Sequence, residues 1–172
     1  MKNLGKKELI ILLIAILIFL SSIGFFVTKT IISNSKPSVY YRTYTKEDGW
    51  SKWAKNGEVC GNDHNITALQ IKIKNPFLNK IIYMSKVGDE LYNTGYVENN
   101  NVSGDMKNDI KVVKIKFDKE LEKKLDVKYR VAIIKKNLHT WVENNQFAMG
   151  DNTNNKIDSV RYIQIKIEKK VK

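Results

Sequence analysis

The sequence predicts an all-β domain carried behind one apolar N-terminal helix, and three observations predict it. Residues 9–27 form a single uncharged apolar run. The rest of the chain alternates apolar and polar residues, with the period of a half-buried strand, in several segments. One order of features also recurs three times along residues 39–167, the mark of a repeat architecture. A chain of 172 residues holds one ordinary domain plus an appendage.

The apolar run, LIILLIAILIFLSSIGFFV, is interrupted only by Ser21, Ser22 and Gly24. As a helix it rises about 28 Å at about 1.5 Å per residue. The hydrocarbon core of a bilayer is ~30 Å thick, and a helix satisfies its own backbone there. Residues 9–27 are therefore expected to span the lipid bilayer. Lys2, Lys6 and Lys7 precede the run against Glu8 alone, and positive residues stay inside. This makes residues 1–8 a cytoplasmic stub, residues 28–38 a polar tether ending near Pro37, and residues 39–172 an extracytoplasmic domain. A cleavable signal peptide is the competing reading, and it would leave the domain secreted. Phe25-Phe26-Val27 after Ser22-Ile23-Gly24, and the lack of an Ala-x-Ala site, favour a retained anchor at the cell membrane. Ser21-Ser22-x-Gly24 is a faint helix-packing motif.

Strands are expected at residues 66–74 (ITALQIKIK), 110–117 (IKVVKIKF) and 160–167 (VRYIQIKI). The only helical stretch, residues 118–125 (DKELEKKL), is short and charged and reads as a linker or one surface turn. The repeats cover residues 39–74, 81–117 and 127–167. The first opens with VYYRTYT, passes Trp50, Trp53, Asn56-Gly57 and Gly61, and closes on LQIKIK. The second has Tyr96 for Trp53, Asn99-Asn100 for Asn-Gly and Gly104 for Gly61; the third has Trp141, Asn144-Asn145 and Gly150. Asn-Gly and Asn-Asn tolerate positive φ and form tight reversals, while the later glycine permits a second turn or a close backbone approach. No repeat of three or four short strands buries its own apolar face, so the three must close around a common core. A pseudo-threefold β-prism and a β-trefoil both satisfy this.

The motif Gly49-Trp50-x-x-Trp53-x-x-Asn56-Gly57-x-x-x-Gly61, followed by ALQIKIK, resembles the clostridial hydrophobic W (ChW) repeat. That repeat carries a Gly-Trp pair, a second Trp, an Asn-Gly turn, a further Gly and a closing alternating strand. The third copy keeps Trp141 and Gly150 but has Asn137-Leu138 at the pair; the second keeps Gly104 and the strands, with Glu90-Leu91 at the pair. The resemblance implies a surface protein of a Gram-positive anaerobe, built from repeats in threes and serving in surface binding.

Formal net charge is +12, of which residues 1–36 supply +4. A basic surface steers toward acidic partners. Here, however, Lys, Ile and Asn are abundant together, as an AT-rich coding sequence produces, and the lysines alternate along strands instead of clustering. They read as solvated strand faces, and no nucleic acid partner is expected. Cys60 is alone and reads as a small buried hydrophobe, too far from the apolar run to accept a lipid.

No enzyme activity, cofactor or metal is expected. His64 lies four residues from Cys60, but both histidines fall in turn-like segments, without a nucleophile-base context. Asp48, Asp63 and His64 lack ligand spacing, and Asp151-Asn152-Thr153-Asn154 lacks the closing glutamate of a calcium loop. The candidate binding residues are the turn-proximal aromatics Trp50, Trp53, Tyr92, Tyr96 and Trp141, whose rings suit sugar or protein contacts. Trp53, Tyr96 and Trp141 recur at equivalent positions and are expected to fill the pseudosymmetric centre. Trp50, whose counterparts are taken as Leu91 and Leu138, is the one Trp that the pattern does not require. The expected function is a non-catalytic, membrane-anchored surface module for a protein or a cell-wall glycan. A structural subunit docking on another envelope protein is the alternative.

Overall fold

The computed structural model describes residues 5, 7, 10–22, 38–73 and 80–170. The chain divides into two compact units, Met1–Lys36 and Pro37–Lys172. In the first, residues 10–22 form helix α1, whose large apolar side chains are all exposed. The hydroxyls of Ser21 and Ser22 donate back to the carbonyls of Ile18 and Phe19, so neither is offered to a neighbouring helix. No helix among the described residues is long and apolar enough to cross a membrane. The remainder of the expected anchor, Gly24 of the packing motif and all of the tether except Ser38 lie outside the described residues.

The second unit is built from antiparallel strands, with no closed barrel among the described residues. The first repeat comprises β1 (Val39–Thr45), β2 (Gly49–Trp50), β3 (Ala54–Lys55), β4 (Val59–Gly61) and β5 (Ile66–Ile73). The second comprises β6 (Ile81–Val87), β7 (Tyr92–Asn93), β8 (Val97–Glu98), β9 (Val102–Gly104) and β10 (Ile110–Phe117). After the single turn α2 (Lys119–Glu122), the third repeat follows. Its strands are β11 (Leu125–Ala132), β12 (Val142–Glu143), β13 (Phe147–Met149), β14 (Asn152–Thr153), β15 (Lys156–Ile157) and β16 (Tyr162–Lys169). The helical turn expected near residue 118 is thus present: Asp118 caps it by accepting the amides of Glu120 and Leu121, and Leu121 is its buried anchor.

Alternation explains the long strands. In β1 every second residue is buried, and β5, β10 and β16 each turn an apolar row inward. Within each repeat the two long strands pair along their whole length, β1 with β5, β6 with β10 and β11 with β16. One three-residue strand of each repeat leaves it: β4 pairs β16, β9 pairs β5, and β13 pairs β10. Each of the three large sheets therefore ends in a strand lent by another repeat, while β14 and β15 pair only with each other, and the exchange closes in a ring of three. No repeat is complete without the other two, which is the physical content of the expectation that three must pack together.

The recurring turns are the joints of that ring. Gly57, Asn100 and Asn145 all have positive φ (85°, 67° and 66°). Their amides donate to the carbonyls of Ile165, Ile71 and Ile115, each in a long strand of a different repeat, at 2.8, 2.7 and 2.7 Å. The later glycines permit the close approach that their spacing suggested. A Cβ on Gly61, Gly104 or Gly150 would fall on the backbone carbonyl oxygen of Arg161, Thr67 or Asp158.

The core corrects one expectation. The largest fully buried side chains of the core are Tyr41, Tyr83 and Tyr129, and not Trp53, Tyr96 and Trp141, which are half-buried or exposed. Each tyrosine is the third residue of a first long strand (VYY, IIY) or stands at the matching place in β11 (VKY). The core needs a ring that also carries a hydroxyl, because turn carbonyls from the same repeat end there: Tyr41, Tyr83 and Tyr129 donate to Glu58, Asn101 and Gln146. At one end of the ring, the equivalent residues Asn65, Asp109 and Ser159 form a polar cluster. Asn65 Nδ2 and Ser159 Oγ both donate to Asp109 Oδ2, at 2.7 and 2.9 Å.

Candidate functional site

The displaced aromatics lie on the outward faces of the sheets, and the register explains their company. Lys72, Lys116 and Lys166 occupy one equivalent position on β5, β10 and β16. Their ammonium groups stand over Trp53, Tyr96 and Trp141, at 3.8, 4.7 and 4.7 Å from the ring centres. In two repeats an arginine adds a second cation: Arg42 lies 4.7 Å from Trp53, and Arg130 lies 4.4 Å from Trp141. Each arginine is fixed from below, with Nε donating to Gln70 Oε1 or Gln164 Oε1 at 2.7 Å. The glutamines in turn donate to the turn carbonyls of Asn100 and Gly57, tying the outer faces to the joints of the ring.

Trp50 extends this arrangement in the first repeat alone. Arg42 lies 4.5 Å above its ring, and Tyr44 meets it edge-on at 5.4 Å between centres. Trp50, Arg42, Trp53 and Lys72 thus form an alternating stack of ring and cation, with both tryptophans half-buried. Strand pairing revises one counterpart of Trp50. Trp50 faces Tyr44 and Asn93 faces Lys86 at the matching position, so Asn93, rather than Leu91, takes its place in the second repeat. Leu138 holds it in the third, since His139 bonds Val131 as Ser51 bonds Thr43. Neither counterpart is aromatic.

The five candidate aromatics do not form one surface. Trp50 and Trp53 are joined through Arg42 on the first sheet, Tyr96 is 48% exposed on the second, and Trp141 lies on the third. Tyr92, 69% exposed, faces Val87 across the short pairing of β7 with β6. Phe147, which the sequence reading missed, is 44% exposed and has the ammonium groups of Lys114 and Lys86 at 4.4 and 5.3 Å from its ring centre. Its signal was hidden because β13 belongs by sequence to the third repeat but completes the second sheet.

The three faces differ in charge. On the third sheet Lys128 bridges Glu143 and Glu168, at 3.1 and 3.2 Å, and Lys166 bridges Glu168 at 2.6 Å. The Lys166 and Lys128 ammonium groups hold the Glu168 carboxyl below its usual range. The first and second sheets present Arg42, Lys72, Lys86, Lys114 and Lys116 without such partners; lysine ion pairs among the described residues involve Lys111, Lys123, Lys128, Lys156, Lys166 and Lys170. Strand alternation therefore gathers on two faces the lysines that look dispersed in sequence.

The groups considered for chemistry are separated by the fold. Cys60 Sγ is buried against Ser51 Oγ and Thr43 Oγ1, at 3.3 and 3.6 Å, whereas His64 turns to Asp48 and Glu47, at 3.7 and 3.9 Å. Asp63 accepts from the phenol of Tyr162. Asn154 and Asn155 form the positive-φ reversal of the β14–β15 hairpin, and Thr153 bonds Asp158, so the acidic-Asn segment is a hairpin loop. Asp151 Oδ1 instead lies 2.9 Å from His139 Nε2. That histidine lines a cavity of about 170 Å³ with Val131, Thr140, Val142, Phe147 and Met149. No group of three or more His, Cys, Asp or Glu among the described residues could hold a metal ion. Comparison with known protein families, with curated proteins and with solved structures finds no match to this chain.

Proposed function

We propose that the chain is a non-catalytic, membrane-anchored surface module that binds a cell-wall glycan on the outer face of its first sheet. The observation that carries this reading is Trp50. The ring of three is complete without an aromatic there, since Asn93 and Leu138 stand at the equivalent places, yet the first repeat adds a tryptophan and holds it between Arg42 and Tyr44. An indole held rigid at an exposed sheet edge offers an apolar plane to sugar C–H groups, with the guanidinium of Arg42 beside it for hydroxyl or acidic substituents. The motif shared with the clostridial repeat supports the same class of function.

The three open sheets and their cyclic strand exchange support a β-prism over a trefoil. The exposed, all-round apolar surface of α1 and the inward hydroxyls of Ser21 and Ser22 support an anchor that leaves the β-domain on the extracytoplasmic side. The test uses the full chain in non-ionic detergent micelles, titrated with purified peptidoglycan sacculi while tryptophan emission is followed. Saturable binding that Trp50→Ala removes is the expected result. No binding to sacculi overturns the glycan reading and directs attention to a membrane-protein partner, sought by cross-linking.

A further inference from the structure

The second sheet departs from the other two at one paired position. Where the first and third sheets carry the hydrogen-bonded pairs Arg42–Gln70 and Arg130–Gln164, the second carries Met84 opposite Lys114. Both glutamines hold a turn carbonyl, so replacing the glutamine by lysine abandons a structural role. The lysine stem needs support that the fold supplies with Phe147: Lys114 and Lys86 both place their ammonium groups within 5.3 Å of that one ring. Lys116 continues the row two residues along β10, over Tyr96. The ammonium groups of Lys114 and Lys86 lie 4.4 and 5.3 Å from the centre of one neutral ring, and neither is among the lysines that pair with carboxylates in the described residues. An anion seated beside the ring gives these two cations the partner that the chain does not supply.

We infer that the outer face of the second sheet binds an acidic polysaccharide, with an anionic substituent held by Lys86 and Lys114 beside Phe147 and the chain continuing past Lys116 and Tyr96. This rests on the glycan-binding reading and adds the charge class of the ligand. The partners of the cations decide among polyanions. Phe147 and Tyr96 each have a lysine ammonium within 4.7 Å of the ring centre, so each ring brings a cation to a passing chain. The paired position that carries arginine on the other sheets holds Met84 here, removing the fork that suits a nucleic acid phosphate. Half-buried lysines beside exposed ring edges suit a flexible chain of sugars bearing separated charges.

The experiment titrates the full chain in non-ionic micelles with polygalacturonate, and in parallel with uncharged dextran of equal length, single-stranded DNA and phosphatidylglycerol vesicles. Lys114→Gln installs the residue that the other two sheets already hold, so the fold is retained, and thermal unfolding followed by circular dichroism verifies this. Lys114→Gln is expected to weaken polygalacturonate binding about fivefold, and Lys86→Gln with Lys114→Gln about twentyfold. Lys128→Gln on the neutralised third face should leave it within about twofold. Dextran should not bind to this face. Unchanged binding in the double variant overturns the proposal, as does tighter lysine-dependent binding of DNA or vesicles. If sacculi are still bound through Trp50 in that case, only this inference falls; if neither sacculi nor polygalacturonate binds, both readings fall together.

Discussion

The phenolic oxygen of Tyr129 accepts the amide hydrogen of Ile115 at 3.0 Å and donates its own hydrogen to the carbonyl of Gln146. Tyr83 does the same with Ile71, at 3.0 Å, and Asn101. Ile115 and Ile71 are also the residues whose carbonyls receive Asn145 and Asn100. One strand residue in each of these two sheets is thus held on both its polar groups, by a buried tyrosine and by a joint of the ring.

Removing a hydroxyl here leaves a buried strand amide without its acceptor and a part-buried turn carbonyl without its donor. Tyr129→Phe or Tyr83→Phe should cost about 1–3 kcal/mol, with little change in core packing. Urea unfolding of the full chain in micelles measures it as a lower midpoint at unchanged slope. A loss near zero would show that water replaces the hydroxyl and that the rings act by volume alone.

The same burial predicts alkaline unfolding. Burial pushes the Tyr83 and Tyr129 phenols from 10.0 up to about 12, against the amide hydrogen bonds of Ile71 and Ile115, and pushes Tyr41 higher still. The folded state therefore keeps protons that the unfolded chain releases. Stability is full below pH 10 and falls as pH rises from about 10 through about 12. Phenolate absorbance should show a late phase from Tyr41, Tyr83, Tyr129 and Tyr162, which burial also pushes up to about 12, together with loss of the β-sheet circular dichroism. A single early phase that includes all tyrosines with the sheet intact would refute the burial of these phenols.

The joints make a paired prediction. Gly57 has open space around the missing Cβ and shares its conformation with Asn100 and Asn145, so Gly57→Asn should change stability by less than about 0.5 kcal/mol. At Gly104 a Cβ would strike the Thr67 carbonyl, and φ is 105°. Gly104→Ala should cost roughly 3 kcal/mol through strain and a displaced edge strand. Thermal unfolding of both variants checks the contrast; equal effects would mean that β9 is not held against β5.

Much of this was legible in the sequence, and the parts that were not share one cause. The strand alternation of IKVVKIKF and YIQIKI survives in any context that buries one face, so β10 and β16 were readable. The repeat order was readable because each joint needs a positive φ at the same place. What failed was assigning partners. Trp53, Tyr96 and Trp141 looked like core because they are large and recurrent, but size says nothing about the hydroxyl that the core requires, while the quieter recurrence of Tyr41, Tyr83 and Tyr129 did. The strand exchange that puts Phe147 beside Lys86 and Lys114 joins residues far apart in sequence, and period-2 alternation conceals how lysines collect on one face.

The exchange also accounts for the lone cysteine. Cys60 faces Ile163 across β4 and β16, and Ser103 and Ala148 hold the same place against Leu69 and Val113. All three are buried, with Cys60 only 4% exposed, so the slot demands a small side chain and no thiol chemistry. Around Cys60 the slot is polar, with Ser51 Oγ at 3.3 Å and Thr43 Oγ1 at 3.6 Å, much as Ser85 Oγ receives Ser103 at 2.9 Å. Cys60→Ser should therefore change stability by less than about 1 kcal/mol, and Cys60→Ala should cost about 1 kcal/mol for the lost volume. The thiol should stay inert to Ellman's reagent in the folded chain and react stoichiometrically in denaturant. Rapid labelling without denaturant would mean that β4 opens from β16, and with it the ring that closes the three repeats.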